Sequence, residues 1–165
     1  MSRALVRSSV TAWFAPPNVT GLYTIARSFP KRFTPGMFRS AAGGGQPGLF
    51  SGAVGVVFIV GDSEHREALG GQNSGKKRVE YVVELQMMQH SVHPHAEDAM
   101  DDFDLMVDAA KARLRADRQI GTAGLLFQAG ENLLEGVYGE PKLLADGATE
   151  IWGSIRFDCS EYLNA

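Results

Sequence analysis

Between residues 96 and 117 a single apolar stripe constrains everything around it. Ala99, Met100, Phe103, Val107, Ala110 and Leu114 recur at steps of three and four, the spacing of side chains that share one face of an α-helix. A helix with such a stripe needs a surface to bury it against. Glu97, Asp98, Asp101, Asp102 and Asp104 crowd its first turns, and Lys111, Arg113, Arg115 and Arg118 its last. That polarity complements the helix dipole, each charge contributing about 0.3–1 kcal/mol. The acidic cluster is thus explained without a metal. Asp101 and Asp102 point different ways on a helix, which suits them poorly to acid–base work.

The surface for the stripe is predicted to be a sheet. Residues 79–90 alternate cleanly: Val79, Tyr81, Val83, Leu85 and Met87 face one way, and Glu80, Val82, Glu84, Gln86 and Met88 the other. One apolar and one mixed face describe a strand covered on one side. Residues 53–60 form a β-branched strand before it, and the Gly-rich, charged stretch 61–77 between them reads as the oversized tip of a hairpin. Further strands are expected at 22–29, ended by Pro30, and at 125–128 and 133–138. In 151–159 Ile151, Ile155, Phe157 and Cys159 share one side. A first helix over 3–14 carries Leu5, Val6, Val10 and Trp13 on one face and stops at Pro16-Pro17. The expected fold is α+β: one domain over 1–165 with a mixed, mostly antiparallel sheet packed by an N-terminal helix and one long central helix.

At 165 residues the chain has the length of one domain and can bury a core without staples. Its one cysteine, Cys159, excludes an intrachain disulfide and fits a reducing compartment. The longest apolar run, 53–60, has strand length, so no membrane partner is expected. Charge is unevenly spread. The first acid is Asp62, while Arg3, Arg7, Arg27, Lys31, Arg32 and Arg39 precede it; the +6 of residues 1–61 leaves −9 on the remainder of a chain whose net charge is −3. The first 14 residues share the basic, acid-free composition of a mitochondrial presequence. The acid-free stretch extends over the whole first third, so an ordinary helix is the better reading. Segments 34–52 and 62–77, rich in Gly, Ser and charge, are expected to be flexible in the free subunit and ordered on assembly.

Candidate chemistry is sparse. His90, His93 and His95 near Glu97 have metal-ligand character, but the H-x-x-H-x-H spacing matches no named helix motif and Pro94 interrupts it. Cys159 lies on the apolar side of a strand, where a thiol acts as a small hydrophobe. The glycines at 43–45 form no phosphate loop, and Gly75-Lys76-Lys77 lacks the spacing and hydroxyl of one. Lys76, Lys77 and Arg78 form the densest basic run, suited either to phosphate contact or to guarding a strand end. No catalytic residue, cofactor or required metal is expected.

The layout resembles the tail terminator proteins of long-tailed, siphovirus-like bacteriophages. The resemblance rests on the helix over 3–14, the segment ending in Phe29-Pro30 and the Gly-rich stretch and strand that follow. It continues through the charged strand Arg78-Val-Glu-Tyr-Val-Val-Glu-Leu-Gln-Met, the helix Asp101-Asp-Phe-Asp-Leu-Met-Val-Asp-Ala-Ala-Lys-Ala-Arg-Leu and the closing strands. It implies a non-enzymatic virion protein, assembled in the host cytoplasm. Six copies would form a ring that caps the tail tube, ends its polymerisation and meets the head-side connector. On that reading Lys76, Lys77 and Arg78 line a lumen passed by DNA, and Arg27, Lys31, Arg32 and Arg39 serve a subunit or partner interface. Three competing readings stand beside it: a neck or head-completion stopper protein, a small metal-dependent enzyme using the histidines, and a ligand-binding or adaptor domain.

Overall fold

The strand with the cleanest alternation forms ladders along its whole length on both sides. A computed structural model describes residues 3–26, 52–67, 76–92, 96–117, 119–122, 125–145 and 147–164. Their order is α1 (Arg3–Phe14), β1 (Leu22–Ala26), β2 (Gly52–Glu67), β3 (Lys76–Ser91), α2 (Ala96–Ala116), β4 (Gln119–Thr122), β5 (Leu125–Tyr138), β6 (Lys142–Leu143) and β7 (Thr149–Asn164). The strands form one seven-stranded sheet in the order β1-β2-β3-β7-β5-β4, with β6 on the flank of β7. Only β1 and β2 are parallel; the other pairs are antiparallel. This is the expected α+β class, with a mixed, mostly antiparallel sheet, an N-terminal helix and a long central one.

One sheet face and both helices build the main core. Val79, Tyr81, Val83, Leu85 and Met87 of β3 are buried beside Ile151, Ile155, Phe157 and Cys159 of β7. From α1 come Val6, Val10 and Phe14, and the Phe14 ring meets Phe157 edge-on at 5.9 Å. From α2 come Ala99, Phe103, Met106, Val107, Ala110 and Leu114. Two stripe assignments shift. Met100 is 42% exposed and Met106 takes its place, while Phe14 replaces Leu5 on the buried side of α1. A small rotation of each helix onto the sheet suffices for both changes. Pro16-Pro17 ends α1, and the Asn18 side-chain amide donates to the Trp13 carbonyl (3.1 Å), one of those the last turn leaves without a partner.

Close approach of α2 depends on glycine. A Cβ at Gly153 would lie 2.9 Å from the Phe103 ring and 3.1 Å from Tyr138. Gly21 turns the chain into β1 with φ +86°, in the left-handed region, and a Cβ there would sit 3.2 Å from Met106 Cβ.

Three expectations need correction. The hairpin tip is much shorter than 61–77: the β2–β3 ladder continues from Gly61↔Val82 to Glu67↔Lys76. Residues 62–67 and 76–77 are therefore strand and not the expected flexible loop, and 68–75 lie outside the described residues. A register shift between Ile59 and Gly61 admits the polar stretch. The Lys77 ammonium then meets the Glu64 carboxylate at 2.6 Å, and β7 supports β3 from the other side. Next, the pieces 125–128 and 133–138 belong to one strand, β5, whose register shift between Ala129 and Leu134 absorbs the interruption. The Leu133 amide in that bulge donates to Asp158 (2.9 Å). Finally, the second sheet face is not uniformly open: Val54, Val56 and Met88 are buried there, with Phe58 and Trp152 packed against them. Of the first flexible segment, Gly52 opens β2, and 34–51 lie outside the described residues, as do positions 27–29 of the first expected strand.

The Gly153–Phe103 contact generates a test. Gly153→Val should lower stability by about 1–3 kcal/mol, since the new side chain must displace an aromatic ring in a filled layer. Thermal melts of Gly153→Val, Phe103→Leu and the double variant check this. The double variant should lose less than the sum of the two singles.

Candidate assembly surface

An open sheet ends in two borders, and one of them here carries exposed apolar side chains. β5 is flanked by β7 on one side, and on the other β4 covers only the stretch Leu125 to Gln128. From Leu134 to Tyr138 no described strand lies on its outer side. At Gly139 the backbone amide donates to the Trp152 carbonyl (2.8 Å), and β6 then takes up the same flank of β7. The border therefore runs from Leu134 to Leu143 with one break. Along it Val137 is 53% exposed, Tyr138 48% and Leu143 77%. The Tyr138 hydroxyl and the Lys111 ammonium of α2 are 2.5 Å apart, which holds the aromatic ring at the border. Glu135 and Glu140 are exposed between and beyond these residues.

The predicted basic run lies near the end of the β2–β3 hairpin, among acidic partners. Lys76, Lys77 and Arg78 open β3 at the far end of the β2–β3–β7 ladder, which fits the expected position near a hairpin end. Their surroundings are not simply cationic. Lys77 pairs with Glu64, and Arg78 with Glu80 at 3.0 Å on the same face of its own strand. Arg3 of α1 reaches Asp62 at 3.4 Å. Arg27, Lys31, Arg32 and Arg39 lie outside the described residues. Of the metal candidates, His90 is half-buried near the end of β3 and Glu97 is exposed in the first turn of α2, while His93 and His95 lie outside the described residues. Among the described residues no group of three or more His, Cys, Asp or Glu side chains converges as a metal site. Nor is any described helix long and apolar enough to cross a membrane.

Cys159 is fully buried, and burial, then the nearby Asp158 and Glu161 carboxylates, pushes its thiol up to about 12. At neutral pH it is protonated, and a thiol is a poor nucleophile. Sequence reading missed its neighbour. Tyr81 donates to Glu161 (3.1 Å), and burial together with this bond pushes the phenol up to about 12. The signal was present: continuing the alternation of β7 two residues past Cys159 puts Glu161 on the core face. It also missed the pair that clamps β3 to β7 on the opposite face. Arg156 donates twice to one Glu84 oxygen (2.9 and 3.2 Å), and Gln86 donates to the other (2.8 Å). Burial alone would raise the Glu84 carboxyl, but these donors together with Ser154 and the Arg156 charge hold it below its ordinary value. These groups are structural ties within the sheet.

No protein-family model matches the chain, and no curated protein matches it in sequence.

The buried groups predict the pH dependence of stability. Tyr81 and Cys159 have raised values in the fold, so their contribution is complete below the unfolded values of 10.0 and 9.0 and is lost as pH rises toward about 12. Glu84 is lowered, so its contribution is lost as pH falls through its folded value. Urea midpoints measured against pH should fall on both limbs. Cys159→Ala should make the alkaline limb shallower, with the Tyr81 part remaining, and Glu84→Gln should make the acid limb shallower.

Proposed function

We propose that this chain is a structural virion protein of the tail terminator type. Copies assemble into a ring, six on the family pattern, that caps the tail tube, ends its polymerisation and joins the tube to the head-side connector. The protein is assembled in the host cytoplasm and ends in the neck of the particle. Its work is association and not turnover, and it uses no cofactor.

The observation that supports this reading best is the exposed apolar border of Val137, Tyr138 and Leu143 on an outer strand. Outer strands are ordinarily guarded by charge, proline or a covering loop, because their backbone groups pair readily with another chain. Here Glu135, Glu140, Pro141 and Lys142 interrupt the border without replacing its apolar side chains. The acid-free first 61 residues support it further, since one copy then carries both signs of charge in separate regions. Local ion pairing of Lys77 and Arg78 leaves contact with passing DNA a secondary part of the proposal. A lumen tolerates DNA best when it does not bind it tightly, and charge matching near phosphates lowers affinity.

The test is tube growth. Purified protein added to the polymerising tail-tube protein of the same virus should stop elongation and give tubes capped at one end, seen by electron microscopy. Undiminished elongation with uncapped ends at excess protein would remove the terminator role.

A further inference from the structure

We propose that the two borders of the sheet that no described strand covers pair with each other between copies of this chain, so that β5 of one copy lies antiparallel beside β1 of the next. This deepens the ring reading and rests on it for the closed assembly.

The registers carry the inference. Straight across the sheet, Ala26 pairs with Val56, Val56 with Gln86, Gln86 with Ser154 and Ser154 with Val137. The adjacent row runs through Ile25, Gly55, Met87, Gly153 and Tyr138. The two borders thus stand at the same height along the strands. β1 has 5 described residues, which fit beside the regular stretch of β5 beyond its register shift, Leu134 to Tyr138. β4 faces Leu125 to Gln128 and leaves that height clear. One column beside β5 can therefore hold β4 and, end to end with it, the β1 of a neighbour.

Strand direction agrees. β1 runs with β2, against β3, with β7 and against β5. Rotation about an axis along the strands preserves these directions, so the junction is antiparallel, the more stable ladder. A head-to-tail contact of this kind closes into a ring when the repeat has no rise along its axis and otherwise winds into a filament. Borders at equal height supply the first condition.

Charge favours this partner over self-pairing of β5. No Asp or Glu precedes Asp62, so no acidic side chain of α1, β1 or the first half of β2 opposes Glu135 and Glu140. Joining β5 to β5 would instead bring the exposed Glu135 of both copies to one seam. The junction would also remove Val137 and Tyr138 from water, as edge pairing between chains does.

Cysteine crosslinking tests the contact. Thr24→Cys places a thiol on β1 and Val137→Cys one on β5, while the native Cys159 is buried and unreactive. Both positions are at least partly exposed, and circular dichroism of each variant is the check that it folds. With a short bismaleimide, a mixture of the two single variants should give a covalent dimer, either variant alone should give none, and the double variant should give a ladder of multimers. Self-crosslinking of Val137→Cys alone, or no mixed product in concentrated protein, overturns the proposal. The outcome separates from the tube assay. Mixed crosslinks without capping keep the contact and remove the tail role; capping with Val137→Cys self-crosslinks keeps the role and removes the contact.

Discussion

Everything in this fold is hung on β3. Its residues from Lys76 to Ser91 pair with β7, and all but the last also face β2. A strand hydrogen-bonded on both sides along its length has few backbone groups left to satisfy, which makes it the most firmly held element of a sheet. Its apolar face then fixes where α1 and α2 lie, since both helices contribute to the cluster built on Val79, Tyr81, Val83, Leu85 and Met87. The polar end of the hairpin is carried by the same pairing. Asp62 to Glu67 have no apolar alternation, yet they remain in register because β3, braced by β7, offers them a ready ladder.

That dependence explains which parts of the fold were legible in the sequence. Apolar periodicity marked β3, α2, the first half of β2 and the core side of β7, because each buries a regular face. It failed where pairing and not burial sets the structure. The extension of β2 past Gly61 is polar, and its signal lies in the diagonal cross-strand pair Glu64 and Lys77, inside the expected loop and at its end. The unity of β5 was hidden by Gly130, Glu131 and Asn132, which have no apolar alternation and sit at a register shift. β6, two residues long, has no period to detect.

The candidate surface was less legible than the fold. Sequence reading sought function in charge, at 76–78 and 27–39, and weighed the histidines at 90–95 without assigning them a role. The structure draws attention instead to Val137, Tyr138 and Leu143, which as a sequence resemble any half-buried strand. Their exposure follows from topology: β4 is too short to shield β5, and Gly139 breaks the run before β6. A single sequence does not disclose which strand will be outermost, because strand order is a long-range property. The buried Tyr81–Glu161 pair was more accessible, since parity along β7 alone predicts which side Glu161 takes.

Exposed apolar side chains by themselves carry little meaning, since much of any protein surface is apolar. Leu105, 69% exposed on α2, is an instance: its neighbours Asp101, Asp102, Asp104 and Asp108 are exposed acids that keep the helix face solvated. The β5–β6 border differs in kind. Val137 and Tyr138 are adjacent on β5 and Leu143 follows on β6, and the outer backbone there has no described partner, so side chains and main chain call for the same remedy. A helix face could bury Val137 and Leu143 but would leave the amides and carbonyls of the border to water. A strand satisfies both at once. Whatever occupies this border is therefore best matched by extended chain, and the short, uncharged β1 of another copy, level with it across the sheet, is extended chain that this protein itself supplies.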